Sequence, residues 1–148
     1  MVCSTMAEGH FIGPAHHFPC RVYFEDTDFS GIVYHANYLR YMERARSDML
    51  AVIGIDQRTV FESGEGVYAV SEITLKYLRP AKFGDILHVI TTIEQIRAAS
   101  VTIHQRVMRG KDIMTQGSVV AAFLSPAGRP KRQPKAWTAL FEDVMKES

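Results

Sequence analysis

Four long runs of alternating residues dominate the second half of the chain, and they limit the folds that it can adopt. The runs cover residues 67–79, 85–96, 101–108 and 112–124. In each run apolar residues recur at about every second position, which is typical of β-strands with one buried face. The connections near residues 97–100 and 109–112 are too short for a crossover. The strands that they join must therefore be antiparallel neighbours.

One helical pattern precedes these strands. Between residues 37 and 53 apolar side chains recur at spacings of three and four, and Gly54 follows as a stop signal. A helix with one apolar stripe and a sheet with one apolar face bury the most surface when they pack together. The pattern therefore predicts an α+β fold in which an antiparallel sheet is wrapped around one long central helix.

The two ends of the chain differ from this central part. Residues 1–18 are small, polar and interrupted by glycine and proline, so we expect a loose leader. Residues 20–24 predict a short strand, because β-branched and aromatic residues cluster there. Residues 134–148 follow a basic, proline-containing stretch and have helical spacing. We therefore predict one domain over residues 19–133 and a short C-terminal helix.

Composition excludes several classes of function. Seventeen basic and sixteen acidic side chains nearly balance, whereas nucleic-acid binding normally needs a basic excess. Cys3 and Cys20 have no ligand-like spacing, which favours a reducing, cytoplasmic location. No stretch approaches the ~18 apolar residues of an integral membrane segment. The histidines near the N-terminus do not predict a metal site.

The segment between the first predicted strand and the helix holds the candidate chemistry. Asp28 lies in a turn that Gly31 allows to be sharp, and His35 stands just before the helix, for which Asn37 is a suitable N-cap. A helix start presents unpaired N–H groups that suit a developing oxyanion, and a nearby carboxylate can act as nucleophile or general base. The same spacing is also typical of a solvated turn in which acids only cap local N–H groups.

A longer signature separates these two interpretations. The run YFEDTDFSGIVYHANY at residues 23–38, continued by MERAR at residues 42–46, resembles the signature of the hotdog-fold acyl-CoA thioesterases. It is most similar to the branch encoded beside the Tol–Pal envelope genes of Gram-negative bacteria, and it is similar to 4-hydroxybenzoyl-CoA thioesterase. The resemblance is strong over residues 20–50 and stays collinear to about residue 124. It implies a hotdog fold and thioester hydrolysis.

The resemblance also implies roles for individual residues. Asp28 matches the catalytic carboxylate, and His35 matches the helix-start position whose N–H points at the thioester carbonyl, with its side chain assisting. Substrate-binding positions and a residue that fixes the loop match as well. The substrate-binding positions are Gly31, Tyr34, Asn37 and Tyr38, and the loop residue is Asp26. Glu43 is the alternative carboxylate, because related enzymes of another branch use a glutamate on the helix.

The nucleotide of coenzyme A is expected to meet basic side chains. In the 4-hydroxybenzoyl relatives these residues cluster at the turn between the second and third long strands, where this chain has only Arg97. Further candidates follow the last strand, at Arg129, Lys131 and Arg132.

The expected reaction converts acyl-CoA and water to a carboxylic acid and free coenzyme A, without a metal or other cofactor. Two alternatives remain: a hotdog dehydratase of 3-hydroxyacyl thioesters, and a non-catalytic protein that binds an acyl carrier protein or envelope machinery. Relatives form homodimers or homotetramers with the active site at the subunit interface, so a homo-oligomer is expected. Short, long and aromatic acyl groups all remain open.

Overall fold

A computed structural model describes residues 8–146 of the 148-residue chain. Its elements are β1 (His10–Ile12), β2 (Ala15–Arg21), α1 (Asn37–Ile53), α2 (Gln57–Glu62), β3 (Val67–Tyr77), β4 (Ile86–Ile96), β5 (Ser100–Arg109), β6 (Asp112–Leu124) and α3 (Lys135–Lys146). The strands form one six-stranded antiparallel sheet in the order β1-β2-β4-β5-β6-β3. None of the helices within residues 8–146 has the length and hydropathy of a membrane-spanning segment.

The four long strands and the central helix confirm the predicted α+β architecture. Alternate residues of β4 and β5 are buried, and Met42, Ala45 and Met49 of α1 join them in one hydrophobic core. A bulge in β6 interrupts the alternation, so that both Met114 and Thr115 are buried. Helix α1 ends where predicted, at Gly54, whose φ of 95° suits a residue without a side chain.

The prediction of a loose leader is wrong for residues 10–18. These residues form β1 and most of β2, and β2 pairs with β4 along its length. His16 is fully buried and contacts Asp48 of α1 at 2.8 Å, and Asp48 also accepts hydrogen bonds from the N–H groups of Glu8 and Gly9. The free edge of β4 and the acid of α1 therefore order a segment whose local sequence indicates a loop. Residues 1–7 lie outside the described part of the chain.

Of three further elements, two differ from the sequence predictions and one matches. The strand expected at residues 20–24 ends at Arg21, and residues Phe24–Asp26 form a 3₁₀ turn instead. Helix α2 was not predicted, and its N-cap Asp56 accepts a hydrogen bond from Thr59 N–H. The predicted C-terminal helix is confirmed as α3, whose Trp137 packs on Tyr68 and Phe123.

Gly117 of β6 sets how closely β6 and β3 approach. A Cβ atom at this position would collide with the Thr74 carbonyl oxygen and would lie 2.8 Å from Leu75 Cδ2. We expect Gly117→Ala to destabilise the fold by about 4 kcal/mol or more, because a backbone atom of β3 must move and its ladder hydrogen bonds must break. Thermal denaturation is the measurement, with an expected fall in Tm of about 10 °C or more.

Thr74→Ala is the matched control for Gly117→Ala. The Thr74 side chain is exposed, so its loss should cost about 1 kcal/mol or less. Equal melting temperatures for Gly117→Ala and the wild type would show that β3 and β6 can separate without loss.

Candidate active site

The loop before α1 is held by the main chain and side chain of Asp26. Its carboxylate accepts a hydrogen bond from Tyr23 N–H at 2.9 Å. Its carbonyl oxygen accepts from Tyr34 N–H at 2.9 Å and from the Asn37 side-chain amide at 2.8 Å. Asp26 therefore has the loop-fixing role expected from the sequence.

Asn37 and Tyr38 lie behind this loop. The prediction that Asn37 caps α1 is wrong: Ala36 is the N-cap, and the buried Asn37 is the first helical residue. Its amide reaches back to Asp26, so it braces the loop. The hydroxyl of the buried Tyr38 accepts a hydrogen bond from Ala81 N–H at 3.0 Å, which ties the helix start to the segment before β4.

Asp28 stands in a tight exposed turn. Gly31 N–H donates to the Asp28 carbonyl oxygen at 3.0 Å, and Gly31 has a φ of 79°, which favours glycine. Asp28 Oδ1 accepts hydrogen bonds from the Ser30 hydroxyl at 2.6 Å and from Ser30 N–H at 2.8 Å. Within residues 8–146, Asp28 Oδ2 accepts no hydrogen bond. One carboxylate oxygen is thus anchored and the other is available to a ligand.

The Ser30 hydroxyl lowers the pKa of Asp28, and Ser30 N–H adds to this effect. Because the shift favours the charged form, Asp28 remains ionised below the usual pKa of about 3.9. If the ionised carboxylate is the active form, kcat/KM keeps its plateau value at a pH just below the usual aspartate pKa of about 3.9. It then falls only at still lower pH.

Removal of the Ser30 hydroxyl tests this electrostatic effect. We expect Ser30→Ala to move the acid limb of the kcat/KM profile upward, toward the pKa of about 4 of an ordinary aspartate. The measurement is the pH dependence of thioester hydrolysis, with folding checked at each pH by circular dichroism. An acid limb that stays in place or moves to lower pH in Ser30→Ala would contradict this role of Ser30.

The start of α1 presents two free donors. Among the described residues, the N–H groups of His35 and Ala36 donate to no acceptor. The His35 carbonyl oxygen accepts a hydrogen bond from the Tyr77 hydroxyl at 3.2 Å, and the His35 ring lies 4.5 Å from the Tyr34 ring. These contacts fix the backbone at the point where the helix dipole is positive.

A groove of about 360 Å³ runs beside this helix start. It is lined by Ile32, Val33, His35, Tyr38, Tyr77, Leu78, Arg79 and Pro80. Asp28 does not line the groove, but its N–H donates to the carbonyl oxygen of Ile32 at 2.9 Å. The carboxylate therefore belongs to the turn that carries one wall of the groove.

Sequence reasoning missed three residues of this region. Ser30 tunes Asp28, Tyr77 holds His35, and Arg79 brings a positive charge to the groove. An aspartate followed two residues later by serine signals a local hydrogen bond, so Ser30 was detectable. Tyr77 and Arg79 carry no such signal, because the tertiary fold alone brings the end of β3 to the start of α1.

The structure does not bring the other candidates to this groove. Glu43 lies about 9 Å further along α1, at 1.5 Å per residue, and accepts a hydrogen bond from the Ser47 hydroxyl at 2.7 Å. Lys131 Nζ donates to the Glu65 carbonyl oxygen just before β3, and Arg97 donates to Gln95. The basic candidates thus lie at the opposite end of β3 from Tyr77, about 33 Å away along the strand.

The groove and its surroundings suit acyl transfer. Two free N–H groups at a helix start can stabilise the oxyanion that forms when the carbonyl carbon of an ester or thioester is attacked. An exposed carboxylate with one free oxygen can supply a nucleophile or a base for water.

Comparisons with known proteins agree with this chemistry. The acyl-CoA thioesterase YbgC of Haemophilus influenzae is 35% identical over 128 residues, which cover 86% of this chain and 94% of that protein. The acyl-CoA thioester hydrolase YbgC of Escherichia coli O6:H1 is 32% identical over 127 residues, covering 84% and 94% of the two chains.

Solved structures share the fold. A probable thioesterase from Bartonella henselae superposes with a TM-score of 0.77 at 35% identity, covering 81% of this chain and 99% of that chain. A 1,4-dihydroxy-2-naphthoyl-CoA thioesterase from Synechocystis has a TM-score of 0.81 at 20% identity, covering 87% and 96%. The sheet and central helix are therefore the expected hotdog fold. The family model of the thioesterase-like superfamily matches residues 22–141, and the chain belongs to this superfamily.

Proposed function

We propose that this protein hydrolyses acyl-CoA thioesters, with Asp28 as the reacting carboxylate. The observation that carries the proposal is the pairing of two features in one loop. Asp28 has an Oδ2 that accepts no hydrogen bond within residues 8–146, and the nearby helix start offers the N–H groups of His35 and Ala36, which donate to no acceptor among the same residues. The names of the YbgC relatives supply the substrate class.

The proposed reaction uses these groups in order. The thioester carbonyl oxygen accepts hydrogen bonds from the helix-start N–H groups, which makes its carbon more electrophilic. Asp28 either attacks that carbon to form a mixed anhydride or removes a proton from an attacking water. The C–S bond breaks, coenzyme A leaves as a thiol, and the acyl group leaves as a carboxylic acid. The His35 side chain assists at the same carbonyl, and no metal or other cofactor takes part.

A homodimer completes the proposed site. Strand β3 is eleven residues long and, within residues 8–146, pairs only with β6, so it forms an edge of the sheet. Its residues Val70 and Tyr77 are each 48% exposed. A long unpaired edge of this kind invites a second strand. Two copies of β3, related by a twofold axis and paired antiparallel along their length, would place Tyr77 of one chain opposite Val67 of the other.

This pairing would also explain where the basic candidates lie. Lys131 is anchored at Glu65, beside the start of β3. In the proposed dimer that end of the partner's β3 lies near Tyr77 and His35 of the first chain. Basic residues of the partner would then meet the nucleotide phosphates of coenzyme A. These residues are Arg97, Arg129, Lys131 and Arg132.

Free-thiol release from a panel of short, long and aromatic acyl-CoAs tests the proposed function. We expect turnover of at least one member of the panel. Absence of thiol release from every member would overturn the proposal. Association with the Tol–Pal machinery, an acyl carrier protein as partner, assembly into a tetramer and a cytoplasmic location stay predictions.

A further inference from the structure

A second cavity, of about 200 Å³, lies along the other half of α1. Its walls come from α1, α2, β3, β5, β6 and α3 and are mainly apolar. Among the lining residues are Tyr68, Val70, Val101, Ile103 and Phe141. Glu43, Arg46 and Ser47 of α1 add one polar side to this cavity.

Arg46 is the unusual member of this lining. It is partly buried, and its guanidinium donates to Gln105 Oε1 at 3.1 Å. Gln105 is fully buried and is itself held by Met42 and Thr91, to which its amide nitrogen donates at 3.0 Å each. Among residues 8–146, no carboxylate forms an ion pair with Arg46.

A partly buried guanidinium that forms no ion pair among the described residues has its charge only partly compensated. It carries five N–H donors and a full positive charge, and burial without a counter-charge is costly. Burial accordingly lowers the pKa of Arg46. Glu43 lines the same cavity and its charge opposes this lowering of the pKa, but Glu43 is exposed, accepts from Ser47 and forms no ion pair with Arg46. The cavity therefore combines apolar walls with a partly buried guanidinium that forms no ion pair within residues 8–146.

The proposed dimer brings this cavity to a reacting centre. With β3 paired along its length, Tyr77 lies opposite the partner's Val67, so the partner's Val70 is about 10 Å away along the strand at 3.3 Å per residue. Val70 of the same chain is about 23 Å from Tyr77 by the same measure. Since Tyr77 holds His35, the nearer cavity is the partner's.

The size of the cavity limits what can enter it. A cavity of about 150 Å³ is enough to hold benzene. A cavity of about 200 Å³ therefore suits an acyl group of about ring size or about six carbons.

We propose that the Arg46 cavity binds the far end of the acyl group from the active site of the partner chain, and that it selects compact acyl groups that end in a carboxylate. The apolar walls contact the methylene groups, and Arg46 pairs with the terminal carboxylate through charge-assisted hydrogen bonds. This inference rests on the proposed thioesterase function and on the proposed dimer.

The first test compares adipoyl-CoA with hexanoyl-CoA, which have the same number of acyl carbons and differ in a terminal carboxylate. We expect the wild type to prefer adipoyl-CoA in kcat/KM by about tenfold or more, and Arg46→Met to lose this preference. Arg46→Lys keeps the charge and should retain part of the preference. Arg44→Met is the matched control, because Arg44 is exposed on the same helix and does not line the cavity.

The second test asks which chain supplies the cavity. A heterodimer of Asp28→Asn and Arg46→Met chains, isolated through two different tags, has one intact site if Asp28 and Arg46 act across the interface. It should then recover about half of the wild-type activity toward adipoyl-CoA, whereas both variant homodimers are weak. A cavity that served its own chain would leave the heterodimer as weak as the homodimers.

Each result separates this inference from the proposed function. A wild type that prefers hexanoyl-CoA or palmitoyl-CoA overturns the inference while thioesterase activity stands. The same holds if Arg46→Met keeps the preference for adipoyl-CoA, or if the heterodimer gains no activity. Absence of thiol release from every acyl-CoA would instead overturn the proposed function.

Discussion

Replacement of Asp28 by asparagine should lower kcat for acyl-CoA hydrolysis by about 100-fold or more, the loss expected for a general base or nucleophile. Asparagine keeps the size of the side chain and an oxygen that can accept from Ser30, so the turn should persist. The negative charge and the basicity are lost. Because Asp28 is exposed, the melting temperature should change little.

The measurement compares the rate of thiol release by Asp28→Asn with that of the control variant Glu25→Gln. Glu25 is an exposed acid of the same loop, and its side chain makes no hydrogen bond within residues 8–146, so its replacement should leave kcat nearly unchanged. Full activity in Asp28→Asn would exclude Asp28 as the reacting carboxylate. Glu43 would then be the next candidate, and Glu43→Gln the next variant.

The sequence predicts the central fold because that part is governed by local periodicity. The alternation in β4 and β5 and the three- and four-residue spacing in α1 each depend on which face meets the core. The ends of α1 and the two tight hairpins were predictable for the same reason. Helix α2 is only six residues long, too short for periodicity to reveal it.

The N-terminal hairpin could not be predicted from its own residues. Histidine, proline and glycine dominate residues 9–19, and they favour a loop. Strand β2 forms because β4 offers an unpaired edge, and buried His16 finds Asp48 on a helix thirty-two residues away. Neither partner is visible from the residues of the hairpin themselves.

Part of the candidate site was likewise predictable from local sequence, and part depends on the tertiary fold. Asp28, Gly31 and His35 are close in sequence, and one loop holds them, so their relation was predictable. Tyr77 comes to His35 through a pairing of elements forty-two residues apart. The Arg46 cavity depends on side chains from six elements, and only the folded chain shows that Arg46 forms no ion pair within residues 8–146.

Disruption of the β3 edge should abolish activity, because the proposed site is divided between two chains. Val70 and Thr74 lie along this edge on either side of a bulge in β3, and both are exposed in the single chain. The double variant Val70→Asp/Thr74→Asp adds two negative charges to each edge strand, and so four to the proposed interface, which destabilises the pairing. We expect a folded monomer whose activity is reduced by about 100-fold or more, which is comparable to the loss expected when the reacting carboxylate is replaced.

Val70→Asp/Thr74→Lys is the matched control, since it carries the same acid at position 70 but adds no net charge to the interface. Light scattering after size-exclusion chromatography gives the mass, and thiol release gives the activity. The control should stay dimeric and keep more activity than the double acid, which isolates the effect of pairing from the effect of Asp at a cavity wall. An active monomer would mean that one chain holds the whole site. In that case the basic residues near Glu65, about 33 Å from Tyr77 along β3, could not bind the same substrate molecule, and another surface, with Arg79 as its nearest cation, would have to hold the phosphates.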